Sequence, residues 1–431
     1  MRFLGTVMGS VLHRGRYVAS GCLLAGSVIA LAACGSSSKT TTAAGGSSGG
    51  NTIDIYSSLP LQGAVNAQTL PMVNGIRLAL SQAGGHAGNF TVNYISMDDS
   101  TATSAATTCD INQSEANARR AATDSKAVVY IGEFNSGCSK VTIPILNQAG
   151  VPQISPANTY VGLTTNDPGS APGEPQKYYP TGKRTYLRIV PRDSIQAKAG
   201  DIAMKQGKCT RVAVANDKTA YGAGLATQVQ SHAKSQGLTV TGNTALDPTS
   251  PNFRAYATSI KGQGVNCVYT AFNPTGEVEL VKDINAALPT AKIYGGDGTC
   301  TSAVTNPAKG GFPKSIAPLF FCTQPAQDLP HQPGGQAFLS AYKAKYGVAN
   351  PEPYSIYGYE AMKLALSKIA SLGSQGNDKS AVLKALFATK NYHGTIGTYG
   401  FDANGDTTIT VFGLYKVGAN GNTLFESKAV G

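Results

Sequence analysis

The feature that most constrains this chain is a repeated alternation. From Ile53 onward, short apolar runs rich in β-branched residues are followed by a polar or glycine-bearing turn and then by a stretch of helical periodicity. Adjacent parallel strands need a crossover of a dozen residues or more, and a helix supplies it. The pattern therefore predicts an α/β chain with parallel sheets. Runs at 53–57, 91–97, 127–131, 151–155 and 186–190 read as five strands, and runs at 211–216, 238–242, 265–271, 291–294 and 316–321 as five more. Helical patterns fall at 70–83, 114–125, 141–148, 222–236, 252–261 and 276–287, then at 335–346, 354–369 and 379–386. Two five-strand rounds predict two lobes. The tail, 397–425, alternates in short strands and is expected to return to the second lobe.

The stretch 127–165 organises the first round. Its two strands lead into Asn135-Ser136-Gly137 and into Pro156-Ala157-Asn158-Thr159. Open α/β sheets bind ligands at the carboxyl ends of their strands. Ser136 opens a helix, whose free N–H groups favour an anion. Two hydroxyls with exposed amides suit a carboxylate. The plainer reading makes Ser136 an N-cap and Thr159 a turn residue. Asp297, in Gly295-Gly296-Asp297-Gly298, follows a strand of the opposite lobe. A carboxylate across a cleft from an anion site suits a zwitterion; the plainer reading is a turn aspartate.

The amino terminus reads as a targeting segment. Arg2, Arg14 and Arg16 precede an apolar run from Tyr17 to Ala30 that is short for a membrane span. Leu31-Ala32-Ala33-Cys34-Gly35 resembles a bacterial lipobox, which implies cleavage after Ala33 and lipidation of Cys34. Residues 36–50 form a Gly/Ser/Thr tether. The net charge of +11 is scattered, with no basic stripe of the kind that marks nucleic-acid binding. Cys22 leaves with the leader, and six cysteines remain: Cys109, Cys138, Cys209, Cys267, Cys300 and Cys322. An even number in an exported chain predicts disulfides, and no spacing suits zinc. In a doubly wound lobe Cys209 and Cys267 start neighbouring strands, and Cys300 and Cys322 follow neighbouring strands.

In family order the chain carries the lipobox, Leu59-Pro60-Leu61-Gln62-Gly63, the Gly132–Thr159 stretch, Asp217-Lys218-Thr219-Ala220-Tyr221-Gly222-Ala223-Gly224, and Ile356-Tyr357-Gly358-Tyr359-Glu360-Ala361. This ordered set resembles the type I periplasmic binding proteins, specifically the leucine/isoleucine/valine-binding family of ABC importers. The resemblance covers nearly all of 53–425 and implies two doubly wound lobes joined by a multi-strand hinge. The implied division is 1–33 as leader, 34–51 as lipidated cysteine and linker, 52–190 with 325–392 as the first lobe, and 191–324 with 393–431 as the second. It implies that Ser136, Thr159 and the backbone around Ala157 hold an amino-acid carboxylate, and that Asp297, where the family carries glutamate, holds the ammonium. Tyr221 and Phe272 fall on aromatic positions facing the ligand, while Phe134, Leu61 and Tyr354 are candidate side-chain walls. A Cys109–Cys138 bridge matches a family disulfide. The implied protein is a monomeric, lipid-anchored receptor on the outer face of the bacterial cytoplasmic membrane or in the periplasm. It would bind a branched-chain or other hydrophobic amino acid and feed a permease and ATPase, with no cofactor or metal.

Other chemistries find little support. The histidines are scattered, and no Ser/His/acid order or GxSxG elbow marks a hydrolase. Asp98-Asp99 reads as a loop pair, and Asp402–Asp406 as a turn without the twelfth-position glutamate of a calcium loop. A sensory lipoprotein, or a receptor for another small amide or carboxylate, is the alternative on the same fold.

Overall fold

The computed structural model describes residues 51–103, 108–325, 327–418, 420–421 and 423–430. The leader, Cys34 and the tether 36–50 lie outside the described residues. Strand β1 (Thr52–Leu59) is flanked by β3 (Phe90–Asp98) and β4 (Ala127–Ile131) in a sheet ordered β2-β3-β1-β4-β5-β6, where β2 is His86–Ala87, β5 is Gln153–Ser155 and β6 is Tyr186–Arg188. Only the short edge strand β2 is antiparallel. Every residue of β4 is fully buried, as a strand covered on both faces must be. Its side chains divide between two cores: Val128, Val129 and Ile131 join Met72 and Ile76 of α1 (Asn66–Gln82), while Tyr130 joins Ala118 of α2 (Ile111–Thr123) and Leu146 of α3 (Ser136–Ala149).

The second sheet holds β7 (Arg211–Asn216), β8 (Thr239–Ala245), β9 (Cys267–Ala271), β10 (Lys292–Gly295) and β11 (Phe320–Pro325), joined in parallel. Helix α4 (Asp193–Gln206) and α5 (Ala220–Ser235) bury Met204, Leu225 and Val229 on one face; α6 (Arg254–Gly262) and α7 (Glu277–Ala287) bury Ile260, Leu280 and Ile284 on the other. Helix α8 (Ser302–Thr305) is a single turn, and α9 (Gly335–Tyr346), α10 (Ser355–Ser371) and α11 (Lys379–Phe387) return to the first lobe, where Phe338, Met362 and Leu386 enter its core.

Several expectations shift. Helix α4 was not among the predicted helices. β11 starts at Phe320, four residues after the expected Ile316, because a 3-10 turn occupies Lys314–Leu319. The third crossing, expected near Tyr392, lies later. The hairpin of β12 (Tyr392–Gly394) and β13 (Gly397–Tyr399) keeps Ile396, Tyr399 and Phe401 in the first core. The chain enters the second sheet only at β14 (Val411–Val417), antiparallel to β11, with β15 (Thr423–Val430) beyond it. First and third crossings are tied together: buried Arg188 donates to Asp406 at 2.6 Å, and Arg192 reaches the same carboxylate at 3.2 Å.

Three disulfides form, Cys109–Cys138, Cys209–Cys267 and Cys300–Cys322. The first staples the opening turn of α3 to the segment before α2. Cys322 lies within β11 rather than after it.

Candidate functional site

The carboxyl ends of both sheets turn toward one cleft. On the first lobe, the loop after β4 leaves through Gly132, at φ 153°, where a side chain would meet the Ser58 carbonyl at 2.6 Å. Only glycine tolerates that backbone and that approach. Asn158 laces this loop to the one after β5, its Nδ2 donating to the Glu133 carbonyl at 3.1 Å and the Phe134 carbonyl at 2.8 Å. Ser136 then stands at the first position of α3, buried. The residue before it, Asn135, makes no side-chain cap, so the uncapped first turn faces the cleft with its N–H groups and the positive end of the helix dipole. Thr159 is buried with its Oγ1 unpartnered. The Ala157 N–H donates to Ser155 Oγ at 3.2 Å.

On the second lobe, the loop after β10 carries Asp297, 4% exposed. It accepts from Tyr221 Oη at 2.8 Å, from Gln196 Nε2 at 2.7 Å, and from Tyr354 Oη across the cleft. Burial pushes its carboxyl above the usual range against the pull of those three donors. Asp193, at the start of α4, is fully buried, and neither carboxylate oxygen has a hydrogen-bond partner. Burial, then the nearby Asp297 carboxylate, hold its carboxyl well above the ordinary value; the Thr159 hydroxyl and Arg188 oppose the shift. Asp297 and Asp193 are therefore two neighbouring buried acids with raised pKa values.

A cavity of about 20 Å³ lies between the lobes, lined by Phe134, Asn135, Ser136, Ala157, Thr159, Tyr221, Asn273, Asp297, Gly298 and Tyr354. Seven of the nine candidate ligand residues meet there. Two do not. Phe272 is fully buried in the second-lobe core, edge-on to Phe253 at 6.4 Å. The strand that ends at Ala271 alternates its faces, so Phe272 points away and the next residue, Asn273, reaches the cleft. Leu61 packs against the first core instead, its N–H donating to Asp98 at 2.9 Å. Asn135, Asn273 and Gly298 line the cavity and were missed, and Asp193 and Gln196 stand behind it. The last two sit on the unpredicted helix α4. Its signal was present: Pro191 and an acid at the start, then apolar residues at Ile195, Ala199 and Ile202.

The acidic pairs read as loops also find structural partners. Asp98 receives the N–H groups of Leu61 and Ser100 at 2.9 and 2.8 Å. Asp402 receives those of Asn404 and Asp406 at 2.8 and 2.9 Å. No cluster of metal-ligating side chains occurs among the described residues, and no helix there is long and apolar enough to cross a membrane.

Residues 52–422 match the family model described as periplasmic binding protein. The chain is similar to the Leu/Ile/Val-binding protein BraC3 of Rhizobium johnstonii, 30% identical over 291 residues that cover 66% of this chain and 72% of the relative. It is also similar to an amino acid binding protein of Pseudomonas aeruginosa, 25% identical over 78% of this chain and 82% of the relative. Among solved structures, the leucine binding protein LivK of Thermotoga maritima matches with a TM-score of 0.73 at 22% identity, covering 88% of this chain and 99% of that one. A solute binding protein of R. palustris in complex with benzoate matches with a TM-score of 0.70 at 18% identity, over 88% and 97% of the two chains.

Proposed function

Because the chain belongs to the periplasmic binding protein family, in the branch of the Leu/Ile/Val-binding proteins, a family of solute-binding components of ABC importers rather than of enzymes, we propose that it captures an α-amino acid between its lobes and delivers it to a permease and ATPase. The observation that carries the amino-acid reading is buried Asp297, which lines the cavity from the lobe opposite the uncapped start of α3, with a second buried acid, Asp193, behind the cavity wall. Buried carboxylates are unstable without a cation, and an ammonium supplies one. The ligand carboxylate then meets Ser136, Thr159 and the N–H groups of the helix terminus, where charge and dipole favour it. Tyr221 and Tyr354 hold Asp297 in place from opposite lobes, so ligand binding and closure act on the same residue.

Hydrophobic amino acids stand first by the names of the relatives. The benzoate complex of a structural neighbour supports a second reading, a ligand with a carboxylate and no ammonium, for which the two acids would be a liability. Isothermal calorimetry separates the readings. Binding of α-amino acids with no heat from benzoate supports the first; the reverse overturns it. We further propose that Cys34 carries a lipid, leaving residues 52–422 as a tethered monomer outside the cytoplasmic membrane. Metabolic labelling with a fatty acid, lost in Cys34→Ala, tests the anchor. An undiminished ligand response together with no effect of gene deletion on uptake would favour a sensory role instead.

A further inference from the structure

The cavity wall carries two side-chain amides besides Ser136, Thr159 and Asp297. Asn135 and Asn273 line it, one from each lobe, and both are buried. Asparagine at an N-cap ordinarily turns its side-chain oxygen onto the N–H groups of its own helix. Asn135 does not; its Nδ2 donates across the cleft to Asn273 Oδ1 at 3.3 Å. The orientation of both amides is set by a charge. The Asp217 carboxylate accepts from Asn273 Nδ2 and from the Asn273 backbone N–H, each at 2.8 Å. A carboxylate of this kind accepts and does not donate, so Asn273 must present its oxygen to Asn135, and Asn135 must answer with its nitrogen. Asn135 Oδ1 is left buried in the wall with no partner.

The sheet order places this acceptor relative to the ammonium site. β10, β9 and β7 are neighbours, so the loops carrying Asp297, Asn273 and Asp217 lie side by side. A ligand whose ammonium meets Asp297 can extend its side chain along that edge, past the rings of Phe134 and Tyr354, to the asparagine pair. We propose, resting on the amino-acid reading, that the ligand is an amino acid whose side chain carries a hydrogen-bond donor, a hydroxyl or primary amide, received by Asn135 Oδ1. The proposal departs from the hydrophobic side chain suggested by the relatives. A site built to pair a polar group discriminates strongly against an analogue that lacks it.

Calorimetry on the parent protein with two shape-matched pairs, threonine against valine and asparagine against leucine, provides the test. The expected result is that the polar member binds roughly tenfold or more tightly in at least one pair. Asn135→Val, checked for folding by its melting temperature, should lose that preference and bind valine or leucine at least as well as the parent does. Valine and leucine binding the parent as tightly as threonine and asparagine would overturn the proposal while leaving the amino-acid reading intact. So would a folded Asn135→Val that keeps the preference. Absence of binding by every amino acid would overturn both. Should the variant not fold, the two parent comparisons decide.

Discussion

Asp297, the proposed partner of the ligand ammonium, also joins the two lobes through its hydrogen bonds. Its carboxylate is buried, accepts three hydrogen bonds and receives one of them from the opposite lobe. A hydrogen bond to a charged group contributes roughly 1.5–3 kcal/mol, and about 1.4 kcal/mol is tenfold in affinity. Asp297→Asn should therefore weaken amino-acid binding roughly tenfold or more in calorimetry, with the fold retained. Equal affinity in the variant would place the ammonium elsewhere. Ser136→Ala should weaken binding less, because the N–H groups of α3 remain. Asp193→Asn should also weaken binding while raising the melting temperature of the empty protein near and above neutral pH, since it removes an unpartnered buried acid. Both acids have raised pKa values, so protons compete with the ammonium, and affinity should fall as pH is lowered. Glu277 tests the same physics away from the ligand. Buried with Thr270 Oγ1 on one oxygen at 2.6 Å and nothing on the other, it has its pKa pushed up to about 8, chiefly by burial. The folded state holds this proton where the unfolded state has released it. Stability should thus decline from about pH 4.5, the ordinary value, to about pH 8 and then level off. Glu277→Gln should remove that decline in melting curves measured from pH 5 to 9, a difference on the order of a few kcal/mol at the alkaline end.

Among the elements, α3 links the disulfide framework to the site. Cys138 lies in its first turn, two residues after Ser136, and is bridged to Cys109 ahead of α2. The bridge closes a loop of sequence separation 29, a span for which roughly 2–4 kcal/mol of stabilisation is typical. Replacing both cysteines by alanine should lower the melting temperature accordingly and, if the proposed carboxylate site is right, also reduce ligand affinity, because the start of α3 loses its staple. A loss of stability with unchanged affinity would show that Asn158 and the loop hydrogen bonds position α3 by themselves. Helix α4 illustrates the opposite dependence. It brings Asp193 and Gln196 to the cleft only because the crossing at Ile189–Arg192 turns the chain directly into it, and the Asp193 N–H is fixed to the Thr159 carbonyl at 2.8 Å.

Across the whole molecule, the closed arrangement rests on contacts outside the cavity as well as inside it. Glu352, two residues before Tyr354, accepts from Thr301 Oγ1 at 3.2 Å and from Ser302 Oγ on the other lobe. On the far side of the cleft, the segment after β5 reaches α5: Gln228 Nε2 donates to the Pro168 carbonyl at 2.5 Å, and the Tyr160 ring lies so close to Gly224 that a side chain there would collide at 2.5 Å. Contacts that bridge the two lobes outside the cavity should act on release more than on capture. Glu352→Ala should raise the ligand off-rate roughly tenfold with little change in on-rate, measured by stopped-flow fluorescence or surface plasmon resonance. Small-angle scattering should show compaction when a confirmed ligand is added; an unchanged radius would argue against a hinge.

The sequence alone determined the alternation of strands and helices, the two parallel rounds and the loops that carry Ser136, Thr159 and Asp297, because each is written in local periodicity and turn chemistry. It was also enough to pair Cys209 with Cys267 and Cys300 with Cys322, since strand order follows from the winding of each lobe. Tertiary structure alone decided the rest. Whether Phe272 or Asn273 reaches the cavity is a matter of which face a strand presents as it ends, a shift of one residue that composition does not record. The unpartnered oxygens of Asn135 and Asp193 become visible only when lobes distant in sequence close on one another, because a polar group is costly only where water has been excluded.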